Sequence, residues 1–98
     1  MSKKIKKTID EGKVYDFFTN RKIGKALYIG RIYHPGFFGA YHTIIRRGLD
    51  GKICCFCFDK YVLRNNERVY IPKNSFFEVK FTEREERHFN WLLEKQGI

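Results

Sequence analysis

No run of apolar residues in the chain reaches the length of a bilayer span, and none follows the basic opening MSKKIKK as a secretory signal would require. These absences argue against a helical membrane protein and against export, and the expected setting is reducing and cytoplasmic. Cysteine is scarce and odd in number: Cys54, Cys55 and Cys57 are the only three. A disulfide framework is therefore not expected. Acidic residues are few, 11 against 20 Lys and Arg, which leaves a net charge of +9. Histidine occurs three times, at His34, His42 and His88, and no paired carboxylate orients any of them into a recognisable triad. The glycine-rich GRIYHPGFFG lacks the following helix that a phosphate-binding loop needs. No internal repeat and no long linker divides the 98 residues. The expected organisation is a basic flexible arm over residues 1–11 and a single small β-barrel domain over 12–98.

The positive excess sits in the middle of the chain: 12 of the basic and only 4 of the acidic residues lie between Arg21 and Thr82. The folded body itself is thus basic, and such a body favours polyanions. Ten Phe and six Tyr supply much of the area that a chain this short can bury, since each ring removes about 150–250 Å².

Period-two alternation marks the strands. GKVYDFF (Gly12–Phe18) reads as the first, with Val14 and Asp16 on one side and Tyr15 and Phe17 on the other. NRKIG then turns the chain, and KALYIGRIY (Lys25–Tyr33) is the second strand. Its alternation changes phase midway, which a bulge at Gly30 repairs. Leu27, Ile29 and Ile32 then face inward, and Tyr28, Arg31 and Tyr33 face out. HPGFFG is a surface loop built on Pro-Gly. AYHTIIRRG is the third strand, and Asp50-Gly51 suggests a type I′ hairpin. KICCFCF, apolar on both faces, is placed centrally. RNNE turns into the short strand RVYIP, and FFEVKF points Phe77, Val79 and Phe81 inward. TEREERHFNWLLEKQG is a helix over 82–97 with a Thr82/Glu85 capping box, a Gly97 terminator and a buried stripe of Phe89, Leu92 and Leu93. The expected fold is mainly β with a C-terminal α-helix: a small SH3-like or OB-like barrel of five to six antiparallel strands, one end closed by the helix. The alternative is a twisted antiparallel sheet with the helix laid across it.

Three constellations bear on function. Tyr28, Arg31, Tyr33, Phe37, Phe38, Tyr41, Arg46 and Arg47 interleave rings with guanidinium groups within one short span. Single-stranded nucleic acid is held by that pairing, because bases stack on rings while phosphates meet cations. The loop pair Phe37-Phe38 is expected at the surface, and Arg46 and Arg47 on opposite faces of their strand. CCFC, by contrast, lies within a strand with no second cysteine pair, so buried thiols are expected rather than a metal centre. No metal and no cofactor are expected. His42 with Arg46 offers an acid–base pair for RNA cleavage, although their spacing does not demand it.

Gly12-Lys13-Val14-Tyr15 followed by Leu27-Tyr28-Ile29-Gly30-Arg31-Ile32 resembles the start of SH3-like barrels, including toxins of the MazF type and some bacterial immunity-protein families. The specific ribonuclease motifs of those toxins are not evident, so the resemblance implies a strand, turn and Gly-containing strand but no catalytic residue.

The leading expectation is a non-catalytic, single-stranded nucleic-acid-binding accessory protein of a bacterial or mobile-element setting. The alternative is a protein-interaction module that meets an acidic partner surface: a phage- or plasmid-encoded inhibitor, an immunity protein, or a small subunit of a larger nucleic-acid enzyme. In that case Phe37, Phe38 and Trp91 would be its anchors. A small ribonuclease relying on His42, Arg46 or His34 comes third.

Overall fold

The computed structural model describes residues 7–98. Seven strands form one curled sheet: β1 (Val14–Phe18), β2 (Lys22–Tyr33), β3 (Ala40–Arg47), β4 (Ile53–Phe58), β5 (Val62–Arg64), β6 (Arg68–Tyr70) and β7 (Phe76–Glu78). Helix α1 (Glu83–Gln96) follows. The strand order is β5-β6-β1-β2-β3-β4-β7. Two corrections follow for the expected barrel. There are seven strands rather than five or six, and β6 runs parallel to β1, so the sheet is not wholly antiparallel. The sheet is a half-barrel with edges at β5 and β7.

Both faces of this sheet are buried, and the register shows why. The pairing of β2 with β3 slips by one residue between Tyr28 and Arg31, with Gly30 at a φ of +93°. This is the bulge that the change of phase predicted. Leu27, Ile29 and Ile32 consequently share one face with Tyr41 and Ile45, while Tyr28, Arg31 and Tyr33 share the other with His42 and Ile44. Gly30 is favoured by its φ, which suits glycine; a Cβ there would meet only the Glu11 carboxylate, the end of an exposed side chain that can turn aside.

The curl runs opposite to the expected sense. Phe17 on β1 and Phe58 on β4 have ring centroids 6.0 Å apart. In a flat sheet, strands with two others between them lie about 14 Å apart. The sheet therefore closes over the face that holds Tyr15, Phe17, Tyr28, Ile44 and Phe58, all buried in one cluster. The Leu27 face is the outer one. There α1 lays Phe89 and Leu93 on Leu27, Ile45, Ile53, Cys55 and Cys57. The helix covers the outside of the sheet instead of closing an end. Tyr28, expected to face solvent, is 5% exposed because the face opposite the helix is itself a core.

Residues 1–6 of the expected arm lie outside the described residues. Its later part is docked onto the domain. Ile9 is buried in the inner cluster, its N–H donates to the Tyr61 hydroxyl at 3.2 Å, and the Asp10 N–H donates to Tyr15 at 2.8 Å.

Local chemistry sets the remaining elements. The capping box is complete: the Glu85 N–H donates to Thr82 Oγ1 at 3.2 Å, and the Thr82 N–H donates to Glu85 Oε1 at 2.9 Å. Gly97 ends the helix at a φ of +72°. Asp50-Gly51 does not make a type I′ turn, because only Gly51 has a positive φ. Asp50 instead accepts from the Lys52 N–H at 3.0 Å, and the Gly51 N–H donates to the Gly48 carbonyl at 3.0 Å. Asn65 and Asn66 carry the two positive φ values, +53° and +59°, that a type I′ turn requires. The strand expected over Phe76–Phe81 ends at Glu78. Val79 is buried and Phe81 packs edge-on to Phe89 at 5.6 Å, whereas Phe77 is 39% exposed.

Candidate nucleic-acid interface

The eight residues singled out from the sequence divide three ways. Tyr28, Arg31, Tyr33 and Arg46 lie on the inner face, and Tyr41 and Arg47 on the outer. Phe37 and Phe38 belong to the loop between β2 and β3. Arg46 and Arg47 do point to opposite sides, as strand geometry requires. Arg46, half-buried, stands across from Cys54, while Arg47 Nη1 donates to Asn90 Oδ1 on α1 at 2.7 Å. Arg47 is thus held as a tie between helix and sheet.

The loop pair separates. Phe38 is 98% exposed. Phe37 is half-buried in a ring cluster, 5.0 Å from Tyr41 and 5.5 Å from Phe77 at nearly perpendicular angles. This corrects the expectation that both rings are free: Phe37 and Tyr41 are packing residues that brace the loop against β7. His34 helps to hold the same loop. The Thr43 hydroxyl donates to the Tyr41 carbonyl at 3.1 Å, so at 2.8 Å it accepts from His34 Nε2–H.

What remains together is Arg31, Tyr33 and Phe38 on one hairpin. Tyr33 is 77% exposed and Arg31 is exposed beside it. Lys60, two residues beyond β4, stands at the same end of the sheet, while Lys80 follows β7 toward the other end and lines a hollow with His34, Pro35 and Phe37. Lys13 pairs with Asp10 at 3.4 Å and Arg68 with Asp16 at 3.7 Å. Arg31, Lys60 and Lys80 have no ion-pair partner among the described residues. Their charge is available to a ligand.

A group of buried and half-buried polar and aromatic side chains around His42 sits just inside this end. His42 shares the inner face with Arg46 on β3, pairs in register with Arg31 across to β2, and its Nδ1 shares a 2.7 Å hydrogen bond with the Tyr28 hydroxyl. Its ring stacks on Phe58 at 5.3 Å and meets Tyr61 edge-on at 5.1 Å. Only the register across three strands assembles this group, so no spacing in the sequence announces it. Burial first, then the Arg31 charge, lowers the pKa of His42, with Asp59 opposing. Burial raises that of Tyr28, helped by Tyr61. His34 is lowered by burial, against a weaker pull from Glu85.

The sign of the resulting pH dependence is definite. A histidine held below its ordinary 6.5 in the folded chain takes up more protons when unfolded. The stabilisation is complete above that value and is lost as pH falls through it toward the folded pKa. Melting temperature should therefore fall between about pH 7 and pH 5, with a shallower slope in His42→Gln. A melting temperature that rises on acidification would contradict the assignment.

Burial pushes Cys55 up to about 12 and Cys57 up to about 11, and all three cysteines are free. Among the described residues, no group of three or more His, Cys, Asp or Glu side chains is placed to hold a metal ion, and no helix is long and apolar enough to cross a membrane. No family model matches the chain, and no curated protein or solved structure is found to be similar to it.

Proposed function

We propose that the protein is a non-catalytic, single-stranded nucleic-acid-binding module whose contact surface is the β2–β3 hairpin. The observation that carries this reading is the placement of two uncovered rings, Tyr33 at 77% and Phe38 at 98% exposure, on the same hairpin as Arg31, which has no ion-pair partner among the described residues. The half-barrel serves as an SH3-like or OB-like platform. Its two cores hold β2 and β3 rigid, and the Phe37–Tyr41–Phe77 cluster fixes the loop that presents Phe38. Bases stack on the two rings, and the backbone between them meets Arg31, with Lys60 extending the field.

The test is fluorescence anisotropy with single- and double-stranded oligonucleotides over a salt series. Single strands should bind more tightly, with affinity falling steeply as salt rises. Arg31→Ala should reduce the slope of log affinity against log salt by about one phosphate's worth, roughly 0.7 on single strands, without altering the preference between strand forms. Absence of binding at low ionic strength would end this reading.

A further inference from the structure

We infer that the free edge of β2 at Arg31–Tyr33, with the groove beside it, receives an extended acidic segment of a partner protein as an added strand. Strand β1 pairs with β2 only as far as Leu27. The last bonds on that side belong to Tyr28: its N–H donates to the Lys13 carbonyl at 3.0 Å, and its carbonyl accepts from the Gly12 N–H at 2.8 Å. Beyond this point β2 continues for five residues, paired among the described residues with β3 alone.

Antiparallel strands alternate between residues that bond across a given pair and residues that bond away from it. Tyr28 bonds away from β3 and stands opposite Ile44. Arg31 stands opposite His42 and Tyr33 opposite Ala40, each two residues further along β3. They therefore occupy the same class as Tyr28, and their N–H and C=O groups point to the vacant side. No hydrogen bond takes up those groups among the described residues. Unpaired strand edges of this kind are templates for strand addition.

The space beside the edge is shaped for side chains. A groove of about 450 Å³ runs between β2 and α1, with Ile29, Ile32 and Leu92 as its apolar floor and His88 and Lys95 on its helix rim. Strand geometry sends alternate side chains to opposite faces. One set would drop onto Ile29, Ile32 and Leu92, and the other would stand on the inner face beside Arg31. Apolar residues suit the first set and carboxylates the second.

Charge selects among possible occupants. Among the described residues Arg31 lacks an ion-pair partner, Lys95 lies over the Trp91 ring at 4.5 Å, and Glu11, which also lines the groove, sits over Gly30 at its inner end. A second copy added edge to edge about a two-fold axis would bring Arg31 toward its own counterpart. The chain's own first six residues carry three lysines, the wrong sign. An acidic, alternating segment of another protein meets both the backbone and the charges.

The experiment uses the full chain labelled with ¹⁵N and a short capped peptide alternating glutamate and valine. The Arg31 and Tyr33 amides should shift and gain protection from hydrogen exchange. A lysine-for-glutamate peptide should bind at least about tenfold more weakly. A version N-methylated at the residues facing β2, which lacks the ladder donors, should not bind. Arg31→Glu, at an exposed position on the face that receives the carboxylates, should weaken binding about fivefold. The inference is overturned if no shift occurs by about 1 mM peptide, or if the lysine peptide binds as well. It also fails if an oligonucleotide rather than the peptide shifts the groove amides.

Discussion

Phe17→Ala is expected to lower the free energy of unfolding by about 3–5 kcal/mol. Phe17 is fully buried, and its ring spans the inside of the curl to reach Phe58 at 6.0 Å and Tyr15 at 6.0 Å. Truncation removes the transfer energy of the ring and leaves a void between strands that are not neighbours in the sheet. The surrounding side chains are rings and β-branched residues already packed on other partners, so collapse into the void is limited. For a domain whose total stability is about 5–15 kcal/mol, this is a large fraction. The melting temperature should drop by more than about 12 °C. Phe18→Ala is the control. That ring is half-buried under the Arg68 guanidinium at 4.6 Å and beside Tyr70 at 5.4 Å, so its loss should cost markedly less. Denaturant unfolding followed by far-ultraviolet circular dichroism separates the two. Equal costs would mean that the inner face is not the core described above.

The Tyr33→Ala/Phe38→Ala double variant should bind single strands at least about thirtyfold more weakly at constant salt, the sum of two stacking contributions of about 1–3 kcal/mol each. Stability should hardly change, because the two rings are 77% and 98% exposed and support little else. The combination of lost affinity and retained melting temperature is the signature of contact residues. Phe37→Ala should give the opposite pattern in stability, since it breaks the ring cluster with Tyr41 and Phe77. Unchanged affinity in the double variant, with binding intact in the parent protein, would leave the charges in place but remove the rings from the interface.

Much of the local structure was legible before any coordinates. The Thr82/Glu85 box and Gly97 bound the helix because caps act over three or four residues and are spelled out in order. The bulge at Gly30 was legible because a break in period two has few repairs. The division of Arg46 from Arg47, and of Cys54 from Cys55 and Cys57, follows from the same period. Alternation names two faces but does not say which of them meets solvent. KICCFCF hinted that both were buried. The parallel docking of β6 on β1, which brings Val69 to the inner cluster, left no local trace.

The candidate site shows the same division. Arg31, Tyr33 and Phe38 were named from composition and turn chemistry, and they emerge on one exposed hairpin. Tyr28, Phe37 and Tyr41 were named by the same reasoning and proved to be packing residues, because a ring's accessibility depends on what folds over it from elsewhere in the chain. Phe77, which covers Phe37, lies 40 positions away in the sequence.

By itself the sequence determined the basic charge of the body, the strand and helix periods, the caps and the bulge, since each depends on neighbours within a few residues or on simple sums. Tertiary structure alone decided the sense of the curl, the burial of Tyr28 beside His42, the outer seat of the helix and the open edge of β2. These depend on contacts between residues far apart in the chain, and no local pattern records which distant side chains meet.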